Sequence, residues 1–172
     1  MQTIEFAAPD GRCEAYLSLP PSGSGPGVLF FADAFGLRPQ IARMVERITS
    51  WGYVVMAPNI FYRSGSVDEL APKVDLREPG ARESVIGSIR PHLSLATTRA
   101  EYAYGHACDD ASMPPEAVEA LGAALAEHGL VGSNEVFPGL HGYTMADTSS
   151  YDETSAERHF DTLRALYTRA LS

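Results

Sequence analysis

The residues able to move a proton lie in two short stretches. His141 stands in Asn134–Tyr143, NEVFPGLHGY, flanked by Gly139 and Gly142. An imidazole titrates close to working pH and can act as acid or base. Earlier in the chain, YGHACDDASMPP carries the adjacent carboxylates Asp109 and Asp110. A carboxylate on one ring nitrogen fixes the tautomer and leaves the other nitrogen as a base. Either aspartate could serve. Equally, Asp110 could be an N-cap-type residue ahead of Pro114, and His141 could merely cap a turn. Two further polar loops, Asp33–Gly36 and Asn59–Arg63, follow apolar runs in the same way.

Positioning these loops calls for strands that end where they begin. Gln2–Phe6 and Arg12–Leu19 alternate about the turn signal Asp10-Gly11 and read as a hairpin. Gly27–Phe31, GVLFF, is a continuous apolar run, as expected of a parallel strand covered on both faces. Pro39 opens a helix with Ile41, Met44, Val45 and Ile48 on one face, ending near Gly52. Tyr53–Ala57 completes a βαβ unit. Ser64–Leu95 is polar and irregular, with only Val85–Ile89 apolar. Ala100–His106 reads as a third parallel-type strand. Pro114-Pro115 starts a helix with Val118, Leu121 and Leu125 inward, stopped by Gly129. Asn134–Phe137 is a fourth strand, ended by a Pro-Gly turn, and a helix over Ser155–Leu171 closes the chain.

The alternation predicts an α/β fold: a mostly parallel sheet flanked by helices, in a single domain spanning 1–172. Sites in such sheets form beyond the C-terminal ends of strands. Neighbouring strand ends lie about 5 Å apart, so Asp110 and His141 can meet.

Composition narrows the partners. The chain has 172 residues and a net charge of −9, which argues against nucleic acid or an anionic membrane as partner. No apolar run approaches a membrane span and no signal peptide is visible, so a cytoplasmic protein is expected. Cys13 and Cys108 are the only cysteines, without zinc spacing, and no metal or cofactor is expected.

The segments PGVLFFADAFGL, WGYVVMAPNIFYR, YGHACDDASMPPEA and PGLHGYTMADTSSY together resemble the dienelactone hydrolase family of the α/β-hydrolase fold. The resemblance covers nearly all of Met1–Glu83 and His92–Ser172. It implies a hydrolase acting on small, anionic carboxylic esters or lactones. It places Asp110 as the triad acid and His141 as the triad base. Ala34 takes the place of the residue whose backbone N–H contributes to the oxyanion hole. Asp33 matches an acidic residue that contacts the resting nucleophile, and Arg63 an arginine that holds a substrate carboxylate. A surface salt bridge is the plain alternative for Arg63.

The departure from the family is the nucleophile. The fold carries it on a strand-to-helix elbow, G-x-S-x-G or G-x-C-x-G, ahead of the acid. No such word exists in this chain. Where it belongs, the sequence runs ARESVIGSIRPHLSLATT, an apparent internal deletion near 84–92 of on the order of 60 residues. Cys108, two residues before Asp110, is a substitute thiol by position alone. Ser112 and Ser66 are weaker candidates, and Cys13 reads as core. With its central strands gone, the Gly27 strand must pair directly with the Ala100 strand or leave two unpaired edges in the interior. Either a closed-up smaller sheet, using Val85–Ile89, or a homodimer across the gap is therefore expected. Two functions follow: an ester or lactone hydrolase, or an inactive, shortened member that binds a small carboxylate through Arg63.

Overall fold

The computed structural model describes residues 1–78 and 101–171. Val85–Ile89 and the junction near 84–92 lie outside them. The chain clusters into two compact units, Met1–Ile89 and Arg90–Ser172.

The first unit is built on the hairpin β1 (Gln2–Ala8) and β2 (Gly11–Ser18), paired antiparallel about Asp10-Gly11. β3 (Gly27–Leu29), α1 (Pro39–Thr49) and β4 (Val54–Pro58) form the expected βαβ unit, with β3 and β4 parallel. β4 also pairs antiparallel with β2, giving the order β1-β2-β4-β3. α1 begins at Pro39, whose missing N–H costs nothing in a first turn. Its Ile41, Met44, Val45 and Ile48 are all buried, each gaining roughly 1.5–3 kcal/mol of transfer free energy. A short helix, α2 (Val67–Leu70), is started by a capping box between Ser66 and Glu69. Cys13 is buried in β2, consistent with a core role.

The second unit has two parallel strands, β5 (Tyr102–Asp109) and β6 (Gly132–Leu140), with α3 (Pro115–Glu127) between them in sequence. α4 (Glu153–Ala170) follows, its N-cap Asp152 accepting from the Ser155 N–H. Alternation sends successive side chains to opposite faces. On one face Asn134 reaches the Val118 carbonyl of α3. On the other, Phe137 stacks on His159 of α4.

The α/β class stands, with a mixed sheet split in two. Among the described residues β3 pairs with β4, and β5 with β6. The run GVLFF yields three strand residues, and Leu29 and Phe31 are 51% and 61% exposed rather than covered on both faces. β6 does not stop at Phe137. It continues through Pro138-Gly139 to Leu140, because the strand absorbs those two residues as a bulge. α3 buries only Leu125 of its three expected apolar positions.

Candidate functional site

In the second unit, the bulge aims His141. Ala107 pairs with Phe137 and Asp109 with Leu140, so Cys108 faces both Pro138 and Gly139. Proline has no N–H to give a ladder, and Gly139 takes φ +119°, which few side chains tolerate. The kink ends β6 at Leu140 and puts His141 on the tight turn that follows, closed by the Tyr143 N–H donating to the Leu140 carbonyl at 3.1 Å.

Asp110 is the first residue after β5. Its Oδ1 accepts from the Ser112 N–H at 2.9 Å and the Ser112 hydroxyl at 2.6 Å. This Asx-turn, not a helix cap, is its local role, for the residue at the head of α3 is Pro114. Its Oδ2 lies 2.6 Å from His141 Nδ1. The Asp110 side chain is 7% exposed and that of His141 60%, so a shielded carboxylate meets an accessible imidazole. Asp109 is exposed at the strand end, in register with Leu140. Of the two adjacent carboxylates, Asp110 is the one that meets the imidazole.

Burial pushes the Asp110 carboxyl up, but the hydrogen bonds from Ser112 and His141 outweigh it and hold the acid below the usual carboxylate range. An ionised carboxylate only accepts, so His141 donates from Nδ1–H. Nε2 is then the nitrogen able to take a proton. Ser112 Oγ also lies 3.4 Å from His141 Nδ1, at the outer limit of a hydrogen bond. Ser112 thus orients the acid. The sequence signal for it, a serine two residues after an aspartate, is that of an Asx-turn.

A second cluster lies behind the dyad. Tyr143, 3% exposed, stacks on Phe137 at 5.5 Å, and its hydroxyl sits 2.8 Å from His159 Nδ1. Burial drives the Tyr143 phenol upward and the His159 imidazole downward, so both are neutral near pH 7. Sequence reasoning passed over both residues.

Cys108 is exposed, with Sγ 3.8 Å from the Gly139 carbonyl. Ser66 is engaged in capping α2.

The remaining candidates belong to the first unit. Asp33 is clamped by Arg38, its two oxygens accepting at 2.6 and 3.0 Å, and Oδ1 also accepts from the Phe35 N–H. Arg38 is only 4% exposed. Its guanidinium lies over the Phe35 ring and reaches the Gly36 carbonyl. Ala34 is exposed on the turn this clamp rigidifies. Arg63 is exposed, pairs with Asp10 at 2.6 Å and stacks over Tyr62. Buried Asn59 shapes that loop by accepting from the Phe61 N–H and donating to the Gly65 carbonyl. A shallow cavity of about 270 Å³ beside it is lined by Glu5, Arg12, Glu14, Tyr62 and Ser66, among others.

Among the described residues no three His, Cys, Asp or Glu side chains come close enough to hold a metal. Nor is any helix among them long and apolar enough to cross a membrane.

Residues 13–86 match the model of the dienelactone hydrolase family. The chain is 30% identical over 97 residues to a carboxymethylenebutenolidase of Pseudomonas sp. (strain P51), covering 55% of this chain and 39% of that protein. It is 31% identical over 80 residues to carboxymethylenebutenolidase 1 of Cupriavidus pinatubonensis, covering 46% of this chain and 32% of that protein. The matches therefore span well under half of either relative. The fold is similar to that of a dienelactone hydrolase-like promiscuous phosphotriesterase from metagenomic libraries, with TM-score 0.71, 16% identity and coverage of 99% and 98% of the two chains. It is likewise similar to apo Thermogutta terrifontis esterase 2, with TM-score 0.59, 14% identity and coverage of 98% and 94%.

Proposed function

We propose that this chain, which matches the dienelactone hydrolase family over residues 13–86 and is similar in fold to its α/β-hydrolases, hydrolyses small carboxylic esters or lactones, with Asp110 and His141 as its acid–base pair. The observation that carries the reading is the 2.6 Å contact between the shielded Asp110 carboxylate and Nδ1 of the accessible His141. Its similarity to two carboxymethylenebutenolidases supports the substrate class.

With no elbow in the sequence, the attacking atom in this proposal is the oxygen of water. His141 Nε2 takes a proton from water as its oxygen bonds to the ester carbonyl carbon. The imidazolium, held by Asp110, returns that proton to the leaving alkoxide as the carbon–oxygen bond breaks. Water adds across the ester and no group on the protein is consumed. A positioned base of this kind supplies about 10²–10⁴-fold, far less than a full triad.

The test is hydrolysis of an activated aryl ester. The wild type should exceed both His141→Ala and Asp110→Asn by about tenfold or more, and Cys108→Ala should match the wild type. Equal rates in wild type and His141→Ala would refute the reading. Loss in Cys108→Ala alone would assign the attack to the thiol instead.

The missing elbow favours a second reading, a catalytically silent member that binds a small carboxylate. Arg63 is its candidate anchor, but the Asp10 carboxylate already occupies that guanidinium. Glu5 and Glu14 in the adjoining cavity repel an anion. Titration with acetate or benzoate, followed by the Arg63 side-chain resonances, separates the two.

A further inference from the structure

We propose that His159, on α4, is the positioning residue for His141, acting through the hydroxyl of Tyr143. The proposal takes His141 as the working base of the site above, but it concerns how the dyad is held and does not depend on turnover.

His141 sits on a turn with an exposed side chain, a poor place to fix an imidazole to a fraction of an ångström. The turn is secured two residues later. The Tyr143 N–H donates to the Leu140 carbonyl, and the Tyr143 carbonyl accepts from the Asp152 N–H at 3.0 Å. Both bonds depend on where the Tyr143 ring goes. That ring is buried against Phe137 and His159, with centroids 5.5 and 5.8 Å away. Its one polar atom meets His159 Nδ1 at 2.8 Å. A buried hydroxyl needs a partner for its proton, so Tyr143 donates and His159 accepts on a bare Nδ1. His159 is in turn stacked on Phe137 at 5.2 Å. Gly105 on β5 leaves the space both groups fill, for a Cβ there would lie 2.5 Å from the Tyr143 oxygen and 2.6 Å from His159 Cε1.

An acceptor that is an imidazole fails when protonated. The groups around His159 set when that happens. From β6, Glu135 favours the cation. From β5, His106 opposes it and Gly105 offers no side chain. From the turn, Tyr143 would lose its acceptor. From α4 itself, Arg158 lies over Phe137 and 3.6 Å from Glu135, offsetting that carboxylate. Burial of the ring, the largest effect of all, resists the cation. Acid therefore breaks the Tyr143 anchor through a residue that never touches the dyad.

The Asp110 carboxyl reports on the outcome, because its low pKa depends in part on the His141 hydrogen bond. Its ¹³C shift would be titrated by NMR in the wild type, Tyr143→Phe, His159→Leu and His159→Asn. Tyr143→Phe keeps the ring and removes only the hydroxyl. His159→Asn places an amide oxygen near the Nδ1 position and does not titrate.

The expected result is a rise of Asp110 toward the ordinary carboxylate range in Tyr143→Phe and His159→Leu, with the wild-type value kept in His159→Asn. Amide exchange at Tyr143 and Asp152 should quicken about tenfold or more in the first two. If His159→Leu does not fold, Tyr143→Phe with His159→Asn decides. An unchanged Asp110 in folded Tyr143→Phe would overturn the proposal. So would a rise in His159→Asn equal to that in His159→Leu, since the ring and not its acceptor would then matter. Failure to hydrolyse esters leaves these readouts untouched, so the two readings fail separately.

Discussion

Gly105→Ala is the sharpest test of how the second unit is packed. In most strands this change is harmless or favourable, since it restricts the unfolded chain by about 0.4–1 kcal/mol. At Gly105 the added methyl would lie 2.5 Å from the Tyr143 oxygen and 2.6 and 2.7 Å from His159 Cε1 and Nδ1. Carbon contacts settle at about 3.5–4.0 Å, so each of these atoms must retreat by roughly 1 Å. They have little room to do so. Tyr143 is 3% exposed, and both rings already stack on Phe137, itself 1% exposed. Overpacking of this kind costs about 1–3 kcal/mol, leaving a net loss on the order of 1–2 kcal/mol. For a urea slope of about 1–3 kcal/mol/M, the midpoint should fall by roughly 0.5–1 M. Trp51, the only tryptophan, lies in the first unit. The transition should therefore be followed by tyrosine near-UV circular dichroism, which sees Tyr143. Tyr143→Phe removes the nearest clashing atom, so the double variant should recover at least about 0.5 kcal/mol relative to additivity. A Gly105→Ala midpoint at or above wild type would refute this packing of the rings against Gly105.

Two more perturbations follow, one in each unit. His159 has its folded-state pKa pushed down, so the unfolded chain binds its proton first. Stability should be fully present above about 6.5 and fall as pH drops through the lower folded value. Asp110, also depressed, adds a second loss at lower pH, beginning near the unfolded carboxylate value of about 3.9 and completed through its folded one. A urea series from pH 7.5 to 4 should show the first loss in the wild type and not in His159→Asn. Arg38→Met removes both hydrogen bonds to Asp33 and the contact to the Gly36 carbonyl. Because the Asp33 side chain stays 25% exposed, water compensates part of this. The expected cost is about 1–3 kcal/mol, read by Trp51 fluorescence in urea, and an unshifted midpoint would refute the clamp.

Much of the architecture could be read in the chain because its determinants are local. The Asp10-Gly11 turn with alternation on both sides specified the hairpin, and the spacing of Ile41, Met44, Val45 and Ile48 specified the face of α1. What could not be read depends on neighbours a sequence does not show. An apolar run such as GVLFF is buried on both faces only if strands flank it on both sides. With β4 its one neighbour among the described residues, β3 keeps three residues and leaves Leu29 and Phe31 exposed. Arg63 finds Asp10, which is remote in sequence, and no spacing rule links them.

The dyad was half legible for a related reason. Residue types and strand ends brought a carboxylate and an imidazole together, but the choice between Asp109 and Asp110 is a question of parity. A strand one residue longer would exchange their faces. The structure resolves that parity through the bulge. Between Ala107 and Asp109 the facing strand spends one extra residue, and Pro138-Gly139 is the pair able to absorb it. The dipeptide read as a strand terminator thus works as a register shifter, and the shift brings His141 to Asp110 rather than to its neighbour. It follows that Gly139 constrains the dyad more tightly than either flanking apolar residue. A side chain there would have to hold φ +119°, and relaxing it would move Leu140 and His141 together while leaving Asp110 fixed by Ser112.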